Sequence, residues 1–252
     1  MTKPAILVTG GAKRIGAALA RAFANAGWHV VIHYGSSAKE ARNLAGALPS
    51  AEVVQCDLAD DGAAVSMIED LCARLPTFRC LINCAAIFRY DDATNLDPRT
   101  NRDSMQVNAL SPARMMQAFL AHAKGPAPLC AIQFSDMKIA NPNPDFYSYT
   151  MSKHAAASTI AMQAIHAGDA ARIYGIAPGA ILPSHDQSEA ETEVSHRMNL
   201  LGRKTGVDEI AGAALFLATG TLKSGSTLYV DSGQHMLSQD RDIIYLARRE
   251  AV

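Results

Sequence analysis

The chain has 252 residues, of which 49% are hydrophobic and 19% are charged, with 23 basic against 24 acidic side chains. This composition excludes a disordered or collagen-like chain, and a net charge of -1 gives no broad attraction for nucleic acid or for an anionic membrane. No apolar stretch reaches the roughly 18 residues of a membrane span, and no export signal precedes the first apolar run. We therefore expect a cytoplasmic protein with no nucleic-acid and no membrane partner.

Short apolar runs alternate with longer, alanine-rich stretches of helical period along the whole chain. This alternation is the signature of parallel β-α-β units. It predicts seven strands, near Ala5–Thr9, His29–Tyr34, Glu52–Cys56, Cys80–Asn83, Leu129–Phe134, Ala171–Ile176 and Thr227–Val230. It also predicts helices near residues 15–26, 38–47, 61–74, 103–122, 148–166 and 207–218.

The pattern predicts a single α/β domain over residues 1–252, with a Rossmann-like doubly wound fold and a seven-stranded parallel sheet. In such a fold a ligand binds beyond the carboxyl ends of the strands. Two irregular segments, 84–102 and 177–206, follow strands at that end, and we expect residues 184–206 to form a lid over the substrate. The role of the C-terminal tail, residues 238–252, stays open.

The first predicted strand runs directly into a glycine-containing turn, Thr9–Gly16, and then into a helix. In this context a turn brings the pyrophosphate of a dinucleotide to the N-terminus of a helix. Gly10 would permit close backbone approach, and Gly16 would let the helix pack against the sheet. A simple strand-to-helix turn is the alternative. We expect cofactor contacts from Gly10, Lys13, Arg14, Ile15 and Gly16.

The second strand lacks the acidic residue that an NAD-selective site carries about 20 residues beyond the glycines. It ends in His33-Tyr34-Gly35 and is followed by the hydroxyl groups of Ser36 and Ser37. These hydroxyls, together with cationic Lys13 and Arg14, suit a ribose 2′-phosphate better than a diol. We therefore predict NADP(H) as the cofactor, the alternative being that the two cations are only solvated loop charges.

After the fifth strand, Asp136 is followed thirteen positions later by Tyr149, and Lys153 comes four positions after the tyrosine. On a helix, residues four apart share one face. An ammonium within about 4 to 6 Å favours the ionised form of a phenol, which would bring the pKa of Tyr149 down from about 10 toward neutral pH. The alternative is a surface pair on an amphipathic helix.

These motifs occur in the order found in the short-chain dehydrogenase/reductase family, and the chain resembles that family over most of its length. The matching residues are the Thr9–Gly16 loop, Asp57-Leu58, Asn83-Cys84-Ala85-Ala86, Asn108, Tyr149 with Lys153, and Pro178-Gly179. The resemblance implies that Tyr149 donates or accepts the proton. It also implies that Lys153 holds the nicotinamide ribose, that Asn108 anchors a proton-relay water, and that the protein is a homotetramer.

The same resemblance distributes further cofactor contacts over the strand ends. It implies that Asp57, next to Leu58, holds the edge of the adenine. It places Asn83 and Ala85 at the adenosine ribose. The nicotinamide would be held by Pro178, Gly179 and Ile181.

Asp136 occupies the position at which that family keeps its catalytic serine. Ser135 would face away from the site unless a bulge turned it, because successive strand residues point to opposite sides of a sheet. Reduction of a ketone builds negative charge on oxygen, and an ionised carboxylate about 4 Å away would oppose it by on the order of 4 kcal/mol. A carbon–nitrogen double bond gains a proton instead, so Asp136 favours an imine substrate.

The chain is similar to the pteridine reductase branch of the family, which includes bacterial dihydromonapterin and dihydrofolate reductases. The similarity lies in Lys13-Arg14, in His33-Tyr34 with Ser37, in the spacing of Asp136, Tyr149 and Lys153, and in Phe88. It implies that Phe88 stacks on a pterin ring, the alternative being a core phenylalanine.

These features together predict an NADPH-dependent reductase of a pteridine-type C=N bond. Two alternatives remain open: reduction of another carbonyl or imine, and a catalytically silent NADP(H) sensor. The eight histidines form no metal-binding pattern, so we expect no metal.

Overall fold

Seven parallel strands form one sheet in the order β3-β2-β1-β4-β5-β6-β7 in the computed structural model, which describes residues 2–184 and 187–250. The strands are β1 Ala5–Val8, β2 His29–Tyr34, β3 Ala51–Gln55, β4 Phe78–Asn83, β5 Leu129–Phe134, β6 Ala171–Pro178 and β7 Thr227–Val230. The order reverses between β1 and β4, which opens a crevice at the carboxyl ends of these strands. The predicted Rossmann-like fold is confirmed.

Helices cover both faces of the sheet. They are α1 Arg14–Asn25, α2 Ala38–Ala47, α3 Asp61–Arg74, α4 Pro98–Met105, α5 Ser111–His122, α6 Tyr147–Ala167, α7 Glu189–Ser195, α8 Val207–Thr219 and α9 Ile243–Glu250. Alternate residues of β1 enter two separate apolar cores, Ile6 and Val8 on one side and Ala5 and Leu7 on the other. Within the described residues, no helix is both long and apolar enough to cross a membrane.

The helix predicted near residues 103–122 contains a widened turn that the sequence analysis did not predict. The structure has α4, then a single π-helical turn at Gln106–Leu110, and then α5. Pro112 lacks the N–H that would bond to the carbonyl of Asn108, and a wider turn accommodates this loss. The helix also begins earlier than predicted, at Pro98, where the carboxylate of Asp97 accepts a hydrogen bond from the backbone N–H of Arg99 at 2.9 Å.

The segment 177–206 and the tail are more regular than the sequence analysis predicted. A capping box starts α7: the Ser188 hydroxyl accepts from the backbone of Glu191 at 3.2 Å, and the Glu191 carboxylate accepts from the backbone of Ser188 at 2.7 Å. The tail contains α9, which buries Ile243 and Ile244. Residues 185–186 of the predicted lid and 251–252 of the tail lie outside the described residues.

Candidate active site

A cleft of about 460 Å³ lies beyond the carboxyl ends of β1, β4, β5 and β6. Its walls also include α6, the segment 184–206 and the C-terminal tail. The predicted site residues that line it are Gly10, Lys13, Arg14, Ile15, Gly16, Ala85, Phe88, Asp136, Tyr149, Lys153, Pro178, Gly179 and Ile181. The other predicted site residues, which are not part of its lining, are Ser36, Ser37, Asp57, Leu58, Asn83 and Asn108.

Glycines are required at two positions of the loop between β1 and α1. Gly10 has a φ of +64°, and a Cβ atom there would lie 3.0 Å from the Cα atom of Ala85. A Cβ atom on Gly16 would lie 2.1 Å from the carbonyl oxygen of Gly10. No side chain caps the N-terminus of α1, so its first N–H groups are available to an anionic group in the cleft.

His33 holds this loop, a role that the sequence analysis missed. Its Nδ1 atom accepts a hydrogen bond from the backbone N–H of Gly10 at 3.1 Å, and its Nε2 atom lies 3.0 Å from the carbonyl oxygen of Cys56. Burial lowers the pKa of His33 to about 4, so the ring is neutral at physiological pH. A neutral ring with Nδ1 unprotonated fits both contacts.

The two cations of the loop have partners within the chain. The Lys13 ammonium lies 2.8 Å from the carboxylate of Glu40, and both side chains are about half exposed. Arg14 has a φ of +53°, and its guanidinium donates to the carbonyl oxygen of Pro183 at 2.9 Å. Arg14 therefore links the glycine loop to the start of the predicted lid.

The remaining residues predicted for the adenosine end lie on turns after β2 and β3. Ser36 is exposed and Ser37 is partly exposed at the start of α2, where its hydroxyl makes no capping hydrogen bond. Asp57 is exposed and accepts from the backbone N–H of Ala59 at 2.9 Å, whereas Leu58 is buried. Their part in cofactor binding stays a prediction.

Two asparagines brace the elements around the cleft. Asn83 is buried and donates to the carbonyl oxygen of Pro112 at 3.3 Å, while its Oδ1 atom has no hydrogen-bond partner among the described residues. Asn108, in the π-helical turn, exchanges hydrogen bonds with the backbone of Ile87 at 2.7 and 2.9 Å and donates to the hydroxyl of Ser152 at 3.0 Å. Asn108 thus joins the loop after β4 to α6.

The loop after β6 forms another wall of the cleft, with Pro178, Gly179 and Ile181 in its lining. A Cβ atom on Gly179 would lie 2.5 Å from the side-chain oxygen of Gln234. That oxygen accepts from the backbone N–H of Ala180 at 2.9 Å. Gln234, which the sequence analysis did not single out, fixes the path of this loop.

Tyr149, Lys153 and Asp136 come together inside the cleft. The Tyr149 hydroxyl donates to the Asp136 carboxylate at 2.7 Å. The Lys153 ammonium donates to the carbonyl oxygen of Phe134 at 2.9 Å and lies 5.4 Å from the centre of the Tyr149 ring. Asp91 fixes the start of α6, because its carboxylate accepts from the backbone N–H of Ser148 at 2.9 Å.

Asp136, and not Ser135, faces the tyrosine. The Ser135 hydroxyl donates to the carbonyl oxygen of Ile176 on β6 at 3.2 Å, which confirms that it points away. The second carboxylate oxygen of Asp136 accepts from the backbone N–H of Lys138 at 2.9 Å. The family's serine position is therefore occupied by a fixed, partly buried carboxyl group.

Burial controls the protonation of these groups. It raises the pKa of Asp136, and it raises the pKa of Tyr149 well above its usual value, with the negative charge of Asp136 adding to the second effect. It lowers the pKa of Lys153 and raises that of Cys84 to about 12. The expected lowering of the pKa of Tyr149 is contradicted, because burial and the nearby charges of Asp136 and Asp242 raise this pKa.

Phe88 is a cleft residue and not part of the core. Its ring is 39% exposed and stacks on Phe146, with 4.0 Å between the ring centres. It also meets the Tyr149 ring edge-on, at 4.7 Å between centres. A flat ring entering the cleft would therefore find an aromatic face beside the phenol.

The lid and the tail supply cleft residues that the sequence analysis did not assign. His196, at the end of α7, is buried and lines the cleft, and burial lowers its pKa. Lys138 and Asp242 line the same end and form an ion pair at 2.7 Å. No periodicity marks such contacts, because they join distant parts of the chain. Within the described residues, no group of three or more His, Cys, Asp or Glu side chains could hold a metal ion.

Comparison with known proteins agrees with this geometry. A family model described as enoyl-(acyl carrier protein) reductase matches residues 10–235. Pteridine reductase 1 from Leishmania tarentolae is 26% identical over 279 residues, covering 92% of this chain and 96% of the relative. A relative named for ketoacyl reductase 2 of the granaticin polyketide synthase, from Streptomyces violaceoruber, is 25% identical over 241 residues, covering 93% and 97%.

A solved structure extends the similarity to three dimensions. It is FolM alternative dihydrofolate reductase 1 from Brucella canis, complexed with NADP. The TM-score is 0.87 at 28% sequence identity, and the match covers 95% of this chain and 97% of the other. The fold of this chain therefore follows that of a protein solved in complex with NADP.

Proposed function

Because the chain belongs to the short-chain dehydrogenase/reductase family, we propose that it reduces a C=N bond of a pteridine with NADPH. The observation that carries the proposal is the 2.7 Å hydrogen bond from Tyr149 to Asp136, beside the exposed face of Phe88. A proton donor, a carboxyl group and an aromatic face are what a protonatable flat heterocycle needs.

The glycine-containing loop between β1 and α1 supports NADP(H) as the cofactor. Glycines at positions 10 and 16 let the loop pack closely on Ala85 and on itself, and the uncapped N-terminus of α1 beside it can bind a pyrophosphate. The unpartnered Oδ1 atom of Asn83 is a further acceptor near the same strand ends. Lys13 and Arg14 are the cations for a 2′-phosphate, and Ser36 and Ser37 are the neighbouring hydroxyl donors.

NADPH, when bound, supplies the hydride to a ring carbon. Tyr149 carries the proton that the neighbouring ring nitrogen gains, because burial keeps its phenol protonated. Asp136, whose raised pKa lets it take up a proton from solvent, then passes that proton to the tyrosinate along the hydrogen bond that joins them. Lys153 holds the ribose, and Asn108 keeps the loop after β4 against α6.

Phe88 and the residues of the lid bind the substrate ring. The stacking of Phe88 on Phe146 holds the Phe88 ring in a fixed orientation. His196 faces the same end of the cleft and makes no side-chain hydrogen bond within the described residues, so its imidazole is available to a polar edge of the heterocycle. We also propose that segment 184–206 acts as the lid and that the protein works as a cytoplasmic homotetramer.

Reduction of a carbonyl is the second candidate. It is favoured by the raised pKa of Asp136, because a protonated carboxyl group donates a hydrogen bond to a developing oxyanion. A ketoacyl reductase among the relatives points the same way.

A substrate panel with NADPH and, in parallel, NADH tests the proposal. The panel consists of dihydrobiopterin, dihydromonapterin, dihydrofolate and a simple ketone, and the measurement is cofactor oxidation. We expect turnover with NADPH on at least one dihydropterin and little on the ketone. Turnover on the ketone alone would establish the second candidate, preference for NADH would contradict the cofactor, and NADPH binding without any turnover would indicate a sensor.

A further inference from the structure

A buried ion pair joins the Asp136 turn to the C-terminal tail. The Lys138 ammonium lies 2.7 Å from the Asp242 carboxylate, and the two side chains are only 6% and 7% exposed. Both residues line the same cleft as Asp136, Tyr149 and Phe88. Burying an ion pair costs solvation free energy that an exposed pair does not lose, so its place beside the reacting groups calls for an explanation.

The pair is held rigidly because its remaining hydrogen-bonding groups are satisfied. The Lys138 ammonium also donates to the side chain of Asn143 at 2.8 Å and to the carbonyl oxygen of Asp145 at 3.3 Å. The other carboxylate oxygen of Asp242 accepts from the backbone N–H of Ile244 at 3.0 Å. A buried polar network of this kind fixes one arrangement of its members.

Lys138 contacts the reacting groups through its backbone. Its N–H donates to one carboxylate oxygen of Asp136 at 2.9 Å, and the other oxygen accepts from Tyr149. The side chain of the same lysine is bound to Asp242. A displacement of the tail would therefore be transmitted through Lys138 to Asp136.

The tail is anchored at two further points. Arg241 donates to the Asp145 carboxylate through two nitrogens at 2.7 and 2.9 Å, and the backbone N–H of Asp242 donates to the same carboxylate at 2.8 Å. Arg248 on α9 donates to Glu191 on α7 at 3.0 Å. The tail thus closes its own chain's cleft and is joined to the lid.

We propose that Lys138 and Asp242 are positioning residues: their ion pair fixes the tail as a wall of the substrate end, holds Asp136 against Tyr149, and balances the charge around them. The proposal rests on the reductase function, but not on a pteridine as the substrate.

Both charges of the pair act on the reacting groups. Burial is the largest influence on the pKa values of Asp136 and Tyr149. The Lys138 charge opposes the rise for Asp136, and the Asp242 charge adds to the rise for Tyr149. The other titratable groups that face these two are Lys153 of α6 and Cys84 after β4.

Removing either charge should therefore shift the pH profile of reduction in opposite directions. Reduction needs the protonated acid, so kcat falls as the pH rises through the pKa of the donor pair. Lys138→Met leaves the negative charge of Asp242 without its partner and moves the fall in kcat to higher pH. Asp242→Asn leaves the positive charge of Lys138 without its partner and moves the fall in kcat to lower pH. We expect each variant to shift the fall by roughly half a pH unit or more. A purely structural role would lower activity without such opposite shifts.

The exposed ion pair of Arg74 with Asp70 on α3, at 2.9 Å, offers a matched control far from the cleft lining. Arg74→Met should leave the profile unchanged. In cofactor-free protein, hydrogen exchange of the amides of residues 239–250 should be faster in both test variants than in the control. If one test variant does not fold, the shift of the pH profile and the hydrogen exchange of the other variant test the proposal.

Shifts in the same direction, an unshifted profile or unchanged exchange would overturn the proposal. The profile is recorded on whichever substrate the wild-type protein reduces. A protein that reduces only ketones would therefore contradict the pteridine assignment and still test the ion pair. Should the wild-type protein reduce nothing, the exchange measurement alone decides.

Discussion

Asp136 and Tyr149 share a hydrogen bond in the wall of the cleft, where Tyr149 is buried and Asp136 is partly buried. Burial raises the pKa of each, so the phenol stays protonated and the carboxyl group takes up a proton more readily than an exposed aspartic acid. The pair therefore stores the proton that a reduced C=N bond gains. A serine at the same position would supply a hydrogen bond but no second titrating group.

His33 should make the stability of the protein depend on mildly acidic pH. Its pKa is lowered by burial from 6.5 to about 4 in the folded protein, so the unfolded chain binds more protons between these values. The neutral His33 therefore contributes fully to the free energy of unfolding above about pH 6.5. This contribution is lost as the pH falls toward about 4, and the loss is on the order of 3 kcal/mol. Urea unfolding at about pH 7 and about pH 5 measures this loss, with the single, buried Trp28 as the fluorescent probe.

His33→Asn is the matched control for that measurement. Asparagine retains an acceptor for the N–H of Gly10 but does not titrate. We expect its free energy of unfolding to change less with pH than that of the wild-type protein. Equal pH dependence in the two proteins would show that His33 is not the group responsible.

At the level of single residues, spacing identified which groups meet but not their protonation. Tyr149 and Lys153 share a helix face and Asp136 follows a strand, so their meeting could be predicted. The pKa of Tyr149 could not, because it depends on burial, to which Ile244 of the tail contributes, and on the charges of Asp136 and Asp242. The contact of Lys138 with Asp242 was invisible for a related reason: no local pattern joins a turn after β5 to the tail.

At the level of elements, the five central strands were predictable because each is a short apolar run covered on both faces. Local signals also existed for one helix start that the periodicity placed too late and for one helix that it missed. Asp97 followed by Pro98 is typical of a helix start, and Ser188 followed by Glu191 is a capping box. The π-helical turn at Gln106–Leu110 was not predictable, because periodicity alone does not reveal how a helix accommodates Pro112.

For the whole molecule, exposed apolar side chains support the proposed assembly into a homotetramer. Met151, Met162 and Ile165 share one face of α6, and Ile165 is 83% exposed. Phe216 on α8 and Met236 after β7 are also more than half exposed, at 51% and 66%. Apolar surfaces on two sides of a subunit suit a symmetric tetramer.

Sedimentation velocity tests the assembly. We expect a species of four times the 26.8 kDa chain mass, and a smaller species for Ile165→Lys, because a charge would then be buried in the contact. The same change at Leu201, an exposed residue of the lid region, should leave the mass unaltered. A monomeric wild-type protein would contradict the proposed tetramer.

The central claim is that the carboxyl group of Asp136 selects a protonatable ring over a simple carbonyl. Asp136→Ser restores the hydroxyl that the family keeps at this position. Ser135→Ala is the matched control, because the hydroxyl of Ser135 is bound to Ile176 and points away from Tyr149.

The most direct measurement is kcat/KM of Asp136→Ser with NADPH on a dihydropterin and on a simple ketone. We expect the value for the dihydropterin to fall by about 10²- to 10³-fold, while the value for the ketone is unchanged or rises and Ser135→Ala alters neither. An unchanged value for the dihydropterin, or an equal loss on both substrates, would contradict the claim.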